Sequence, residues 1–482
     1  MGNYGQRATG ESPEFGFLTR CDIKHSHIFP IELIFSNGEE IAMTEEINRR
    51  DFIKRATLAT AGTSLAMTAL SSRRVLGAND RVVIGLIGSG RQGTGDMRAF
   101  IRHGAEVAAV CDVYQPNLDK GMKAAGGNAK AYKDFRRVLD HKDIDAVIVG
   151  TPDHWHPLAM VEACKAGKDV YVEKPISVVV EEGKKMVEAA RRYNRVVQVG
   201  TWQRSNTHFQ KAVQLIQEGQ LGKVSFARTW NYSNSYPDGI GNPPDSDPPP
   251  GLDWNFWLGP APKVHFNSNR FGVGDRWSTF RYFYDYANGW LGDWCVHLLD
   301  IVHWAMKVDG PDVISASGSK FYLKDNSDTP DTLQVTFEYP EFICTYENRL
   351  LNGNSMYGKG YGIEFHGTDG TMFVDRGGFK IYPEKKKSNN SEQTATMQMD
   401  RTNDGLFDHV GNFLECMKTR NRPASDIEIG HRTSSACLLG SVALRSKERI
   451  VWDVANQQLV HGSEHARKLL QREYRAPWKL VV

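Results

Sequence analysis

The chain is short of net charge, of spaced metal ligands and of long apolar runs, and each shortage removes a class of function. Fifty-nine Lys and Arg against 57 Asp and Glu leave a formal net charge of +2. With no basic stripe interleaved with aromatics, that balance argues against nucleic acid as a partner. The seven cysteines, at 21, 111, 164, 295, 344, 416 and 437, show no metal-ligand spacing, and several sit in apolar runs. They read as buried free thiols. No stretch approaches the roughly 20 apolar residues that a bilayer span needs, so no membrane span is expected. No internal repeat divides the 482 residues, which leave room for two or three domains.

What is present is organised around Arg81 to Gly93, RVVIGLIGSGRQG. Val82, Val83, Ile84, Leu86 and Ile87 make a buried parallel strand, and Gly88, Gly90 and Gly93 follow in G-x-G-x-x-G spacing. The chemistry of a dinucleotide site asks for these residues: one glycine for the turn, one for approach to a pyrophosphate, one for helix-to-strand packing, with a helix N-terminus facing the anion. Among 45 glycines the spacing arises by chance about 0.4 times, so the context decides. Glu106 to Val113 is a second strand that carries Asp112, nineteen residues beyond the last glycine. A carboxylate there accepts both ribose hydroxyls and repels a 2′-phosphate, which points to NAD rather than NADP.

From Met43 the chain has an acidic start, Arg49-Arg50, Phe52-Ile53-Lys54 and a mildly apolar run from Ala56 to Leu70. This is the pattern of a twin-arginine export signal, with cleavage near Gly77 or Ala78 and a periplasmic or otherwise exported product. Residues 1–42 show no usable periodicity and read as a misassigned start or a disordered leader. The other divisions expected are 43–78 for the signal, 79–201 for an NAD-binding domain, 202–455 for a substrate and oligomerisation domain, and 456–482 for a tail packed back on the body.

Within 79–201, strands at 146–150, 169–172 and 196–199 alternate with helices at 158–166 and 180–193, the order of a doubly wound parallel sheet. Near Gly200 the pattern changes. A helix from 208 to 218 precedes alternating strands at 224–230, 313–323, 332–338, 342–348, 362–366 and 371–375, and helices at 407–418 and 429–447 follow. The fold class expected is α/β, an N-terminal Rossmann sheet followed by an α+β domain with an open, mainly antiparallel sheet. One open face suits a ligand or a second subunit, hence a homodimer or homotetramer. Between the strands lies an insertion, Tyr236 to Arg276, rich in Pro, Gly and Trp, whose length without regular structure suggests function.

Three further motifs carry chemistry. Thr151-Pro152-Asp153-His154-Trp155-His156 follows a strand directly, at the carboxyl edge where ligands bind in such sheets. Two histidines at i and i+2 without a third ligand are a poor metal site, and none is assigned. Glu173-Lys174-Pro175 again follows a strand and places an amine where it can bind a hydroxyl or exchange its proton. In Gly289 to Asp300, a helix would stack Asp293 on His297 one turn later, with Leu291, Trp294, Leu298 and Ile301 as the packing stripe. Such a pair is a proton relay that favours the charged imidazole, or else a plain helix-surface pair. Trp155, Trp202, Trp254, Trp257, Trp290 and Trp294 are candidates for a sugar-stacking wall.

With GSGRQG, TPDHWH, VEKP and GDWCVHLLD together, residues 80–480 resemble the glucose-fructose oxidoreductase and inositol dehydrogenase family, Gfo/Idh/MocA. The resemblance implies a carbohydrate or cyclitol substrate whose CH–OH group gives hydride to NAD. It implies that Lys174 touches both nicotinamide ribose and substrate, and that Asp293 and His297 position and deprotonate the hydroxyl. The cofactor set it implies is Gly88, Gly90, Arg91, Gln92, Gly93, Asp112, Thr151, Pro152, His156, Glu173 and Lys174. His154-Trp155 and the aromatic insertion depart from the common pattern, so the identity of the sugar does not carry over. An exported enzyme meets little free NAD, which implies a tightly held cofactor reset in place. The alternative is an NAD-dependent glycoside hydrolase or lyase working through a transient keto-sugar, a branch that departs from the E-K-P motif kept here.

Overall fold

The computed structural model describes residues 81–272, 278–384 and 395–482. The segment read as an export signal, residues 1–42, Cys21 and Arg276 lie outside them.

The first layer is a six-stranded parallel sheet. Its strands are β1 (Val83–Ile87), β2 (Glu106–Cys111), β3 (Lys130–Tyr132), β4 (Ala146–Val149), β5 (Asp169–Val172) and β6 (Val197–Val199), in the order β3-β2-β1-β4-β5-β6. Helices α1 (Arg91–Arg102), α2 (His156–Lys165) and α3 (Val180–Arg192) belong to its crossovers. Every residue of β4 is buried, as a parallel strand covered on both faces must be. The order reverses between β1 and β4, and the crevice at that switch point is where ligands of such sheets bind. The sequence pattern did not predict the short strand β3, which is followed by one helical turn, Arg136–Leu139.

The second layer is a ten-stranded sheet in the order β14-β13-β12-β11-β7-β10-β9-β8-β15-β16. It comprises β7 (Val224–Tyr232), β8 (Val313–Ser319), β9 (Thr332–Glu338), β10 (Ile343–Arg349), β11 (Tyr361–Gly367), β12 (Gly370–Asp375), β13 (Gly378–Pro383), β14 (Met397–Asp400), β15 (Ile450–Asp453) and β16 (Gln458–His461). Pairing is antiparallel except between β7 and β10. Four further helices are α4 (Thr207–Gln217), α5 (Val296–Met306), α6 (Gly405–Thr419) and α7 (Ile427–Ser446). Alternation decides which side chains meet the helices: Leu333, Val335 and Phe337 of β9 and Cys344 and Tyr346 of β10 join Leu298, Val302, Leu438 and Val442 in one core. Thr332, Gln334 and Thr336 point the other way. Cys111, Cys164, Cys295, Cys344, Cys416 and Cys437 are all free and buried.

The insertion is not structureless. It contains two short helices, Trp254–Leu258 and Ser268–Phe271, and a core of its own in which Trp254, Trp257, Leu258 and Phe266 pack on Phe283 and Tyr286. Trp254 and Trp257 stack on each other at 4.8 Å, and Trp257 also lines the cleft described below. The C-terminal segment crosses back to the first layer: Arg472 donates to Glu182 Oε1 at 2.6 Å and to the His154 carbonyl at 2.9 Å, and Trp478 meets Trp155 edge-on. Among the described residues no helix is long and apolar enough to cross a membrane.

Candidate active site

At the switch point lies a cleft of about 1060 Å³. Gly88, Gly90, Arg91, Gln92, Asp112, Thr151, Pro152, His156, Glu173 and Lys174 line it, so ten of the eleven expected cofactor residues meet in one place. Gly93 lies beneath: a Cβ on it would fall 2.1 Å from the Gly88 carbonyl oxygen, so the crossing of α1 over β1 needs glycine there. Gly88 has φ of +89°, and a Cβ would meet Thr151 N at 2.7 Å. The first turn of α1 carries no acidic residue, so its free N–H groups face the cleft without a competing anion. Asp112 accepts from Ser89 N and Tyr114 N, both at 2.9 Å. Burial pushes its carboxyl up to about 6 against those hydrogen bonds. Thr151 Oγ1 and Asp153 Oδ2 are buried without a partner, as expected where a polar ligand is to be met. The cradle fits a dinucleotide.

His154 and His156 are spent on backbone. His154 Nε2 and Trp155 Nε1 both reach the Trp257 carbonyl, at 3.0 and 2.8 Å, anchoring the insertion to the sheet edge. His156 bridges the carbonyls of Pro175 and Thr151 at 2.7 and 2.8 Å and so joins the two edge motifs. Burial pushes His154 down to about 3 and His156 to about 4 against these hydrogen bonds, and a neutral His156 ring can donate to only one of its two carbonyls at a time.

The expected stack of Asp293 on His297 is corrected by the structure. Leu291–Cys295 is a π-helical turn ahead of α5, and its wider pitch takes residues four apart out of register. Asp293 turns to other partners: Lys174 Nζ donates to its Oδ1 at 2.6 Å and Arg281 Nε lies 2.8 Å from the same oxygen. Burial alone would raise the Asp293 carboxyl, but Arg281 and Lys174 hold it well below the usual carboxylate range. His297 shares no ion pair with it, and its Nδ1 is buried without a partner. Burial, then Lys174 and Arg376, push this imidazole well below its ordinary value. It is neutral, not charged. Trp294 also leaves the packing stripe, which keeps Leu291, Leu298 and Ile301, and contacts Tyr361 at 4.5 Å.

Around this centre stand residues that sequence reasoning missed. Arg281 shows no motif and is brought in from the stretch after the insertion. Asp153 was quoted within its motif but given no role; burial pushes it up to about 7, with Arg281 opposing. Glu173, buried, is likewise pushed up to about 7 against Lys174. Gln92 links it to Asp96, at 3.5 and 2.9 Å, and Asp96 is raised well above the usual range by burial and by Glu173. Burial of both carboxyls, and for Asp96 the neighbouring charge of Glu173, oppose ionisation in this part of the site.

The geometry agrees with comparison to known proteins. The family model described as oxidoreductase family, NAD-binding Rossmann fold, of the Gfo/Idh/MocA family, matches residues 82–201, and that of its C-terminal alpha/beta domain matches residues 205–480. The chain belongs to the Gfo/Idh/MocA family. Curated relatives are glycosyl hydrolase family 109 proteins from Shewanella pealeana, 31% identical over 174 residues, and from Shewanella baltica, 34% over 174 residues. These matches cover 30% of this chain and 38% and 37% of the two relatives, so the chain spans little more than a third of their length. Among solved structures, levoglucosan dehydrogenase in complex with NADH and levoglucosan matches with a TM-score of 0.59 at 16% identity, over 77% of this chain and 99% of that one. The WlbA dehydrogenase from Bordetella pertussis, in complex with NADH and UDP-GlcNAcA, gives 0.57 at 19%, over 77% and 99%. At such identities these Gfo/Idh/MocA likenesses speak for the fold.

Proposed function

We propose that the chain is an NAD-dependent oxidoreductase acting on a CH–OH group of a sugar, sugar derivative or cyclitol, with the coenzyme tightly held. The observation that carries this reading is the meeting of Lys174, from the sheet edge, with Asp293 and Arg281 of the second domain at a dinucleotide-shaped cleft. NAD, when bound, supplies the hydride acceptor. The turn at Gly88 to Gly93 with Arg91 and Gln92 would hold its pyrophosphate, Asp112 the adenosine ribose, and Thr151, Pro152, His156, Glu173 and Lys174 the remainder. A neutral His297 is the better base, since Lys174 is already engaged as a cation by Asp293. The hydroxyl proton passes to the His297 ring, and Lys174 and Arg281 face the oxygen as it gains charge. Asp293 serves by positioning those two cations.

Denaturing the purified protein and identifying the released nucleotide, then adding sugars and glycosides, tests the reading. NAD and its reduction on sugar addition are the expected result; a protein that holds and binds no nucleotide would sink it. The glycosyl hydrolase relatives favour a second reading, redox-neutral bond cleavage through a transient keto-sugar, which would show as glycoside cleavage without net nucleotide reduction.

Replacing Asp112 by serine is expected to weaken NAD about 10- to 100-fold, the loss of about 1.5–3 kcal/mol in charge-assisted hydrogen bonds, and to narrow the preference over NADP. Paired titrations with the two nucleotides check this; an unchanged preference would place the ribose elsewhere.

The Arg49-Arg50 pattern supports export through the twin-arginine pathway to the periplasm, testable by the amino-terminal sequence of the mature product. The helix-free face of the large sheet, with Ile343 exposed, supports a homodimer or homotetramer, testable by light scattering.

A further inference from the structure

Arg376 sits in the turn between β12 and β13, outside the residues that line the nucleotide cleft. Its Nε donates to Gln203 Oε1 at 3.0 Å, and Gln203 Nε2 donates in turn to the His297 carbonyl at 3.3 Å. One amide thus ties the guanidinium to the start of the helix that carries the proposed base. The rings of Trp202 and Trp294 lie 4.6 and 4.7 Å from the guanidinium carbon. Trp294 in turn lies 6.1 Å from the His297 ring.

Among the described residues no carboxylate is in contact with this cation, and Asp293 and Glu173 act on it only from a distance. The adjacent Asp375 gives one oxygen to Lys359, at 3.2 Å, and the other to Gly377 N and Gly378 N. Asp293 is shared by Lys174 and Arg281. Arg401, the next charge, adds to the excess, 5.9 Å from the Trp202 ring. Among the described residues no carboxylate pairs with Arg376, and its two terminal nitrogens make no hydrogen bond. A guanidinium taken largely out of water, packed against two indoles and left with both terminal donors unused is arranged to receive an anion.

We propose that Arg376 binds a carboxylate of the substrate, and that the substrate is a sugar acid or other carboxylated polyol. This deepens the oxidoreductase reading and rests on it for the location of the reacting carbon. The guanidinium fork pairs bidentately with a carboxylate, whose single charge one arginine answers; a phosphate can take the same two bonds, and the 6-phosphates below separate the two anions.

The test uses the full chain loaded with NADH and follows tryptophan fluorescence, to which Trp202 and Trp294 report. Matched probes are hexoses, the corresponding uronates, uronamides and hexose 6-phosphates, in the gluco, galacto and manno series. At least one uronate is expected to bind about 10- to 100-fold tighter than its hexose and its uronamide. Arg376→Met should abolish that preference, and Arg376→Lys, which keeps the charge without the fork, should retain part of it. If no uronate binds tighter than its neutral partners, if the 6-phosphates bind tightest, or if Arg376→Met weakens acid and neutral sugars alike, the proposal is overturned. Preferential uronate binding with no reduction of bound NAD by any sugar would overturn the redox reading instead and leave the carboxylate site standing.

Discussion

Replacing His297 by alanine is expected to lower turnover about 10²- to 10⁴-fold, the usual contribution of a positioned base, while nucleotide binding is kept. Two observations argue for this separation. The ring does not line the nucleotide cleft, and its burial beside Lys174 and Arg376 holds it neutral, in the state that accepts a proton. Because its pKa lies well below 6.5, the imidazole stays neutral as the solution becomes mildly acid. Steady-state reduction of the nucleotide, with a parallel nucleotide titration, checks the first part. A limb near pH 6.5 in the rate profile of the parent protein that vanishes in the alanine variant would contradict the second, because it would mark an ordinary histidine.

The largest effect on stability is expected at Asp293. Asparagine keeps the shape and removes the carboxylate that Lys174 and Arg281 both contact, leaving two nearly buried cations with less compensation. Breaking a buried pair from one side typically costs about 3–5 kcal/mol. Denaturant unfolding at pH 7 should show a loss of that order. The pH dependence has a definite sign. The folded-state pKa of Asp293 is depressed, so its contribution is fully present above the ordinary carboxylate value of about 3.9 and is lost as the pH falls through the folded value. The gap between parent and variant should therefore be constant from neutral pH down to about 4 and close below it. Equal stability at pH 7 would mean that water, not Asp293, answers the two cations. Turnover should fall as well, because Lys174 loses the contact that aims it.

These two residues show where sequence reading stops. Asp293 and His297 were singled out by their spacing, which is meaningful only on a regular α-helix. The π turn at Leu291–Cys295 is set by how that segment packs between the large sheet and α7, and four-residue spacing carries no trace of it. The charge state of His297 reversed for the same reason: it follows from burial and from Arg376, which is 79 positions away by residue number. The aromatic insertion misled in a related way. Its tryptophans, Trp254 and Trp257, are hydrophobic enough to build a core of their own, although Trp257 also lines the cleft, and it is Trp202 and Trp294, outside the insertion, that lie against the cation near His297.

What the amino-acid order determined by itself was everything with a local cause. Those features are the strand, glycine turn and helix of the dinucleotide cradle, the acid closing the second strand, the alternation that separates a parallel sheet from an antiparallel one, and the two motifs at the sheet edge. Each depends on backbone preferences and side-chain periodicity within a few residues. Only the tertiary structure decided which charges face one another. Arg281, Gln203 and Arg376 reach the site from separate segments, and a Coulomb interaction in a desolvated pocket depends on distance in space, which no local pattern encodes.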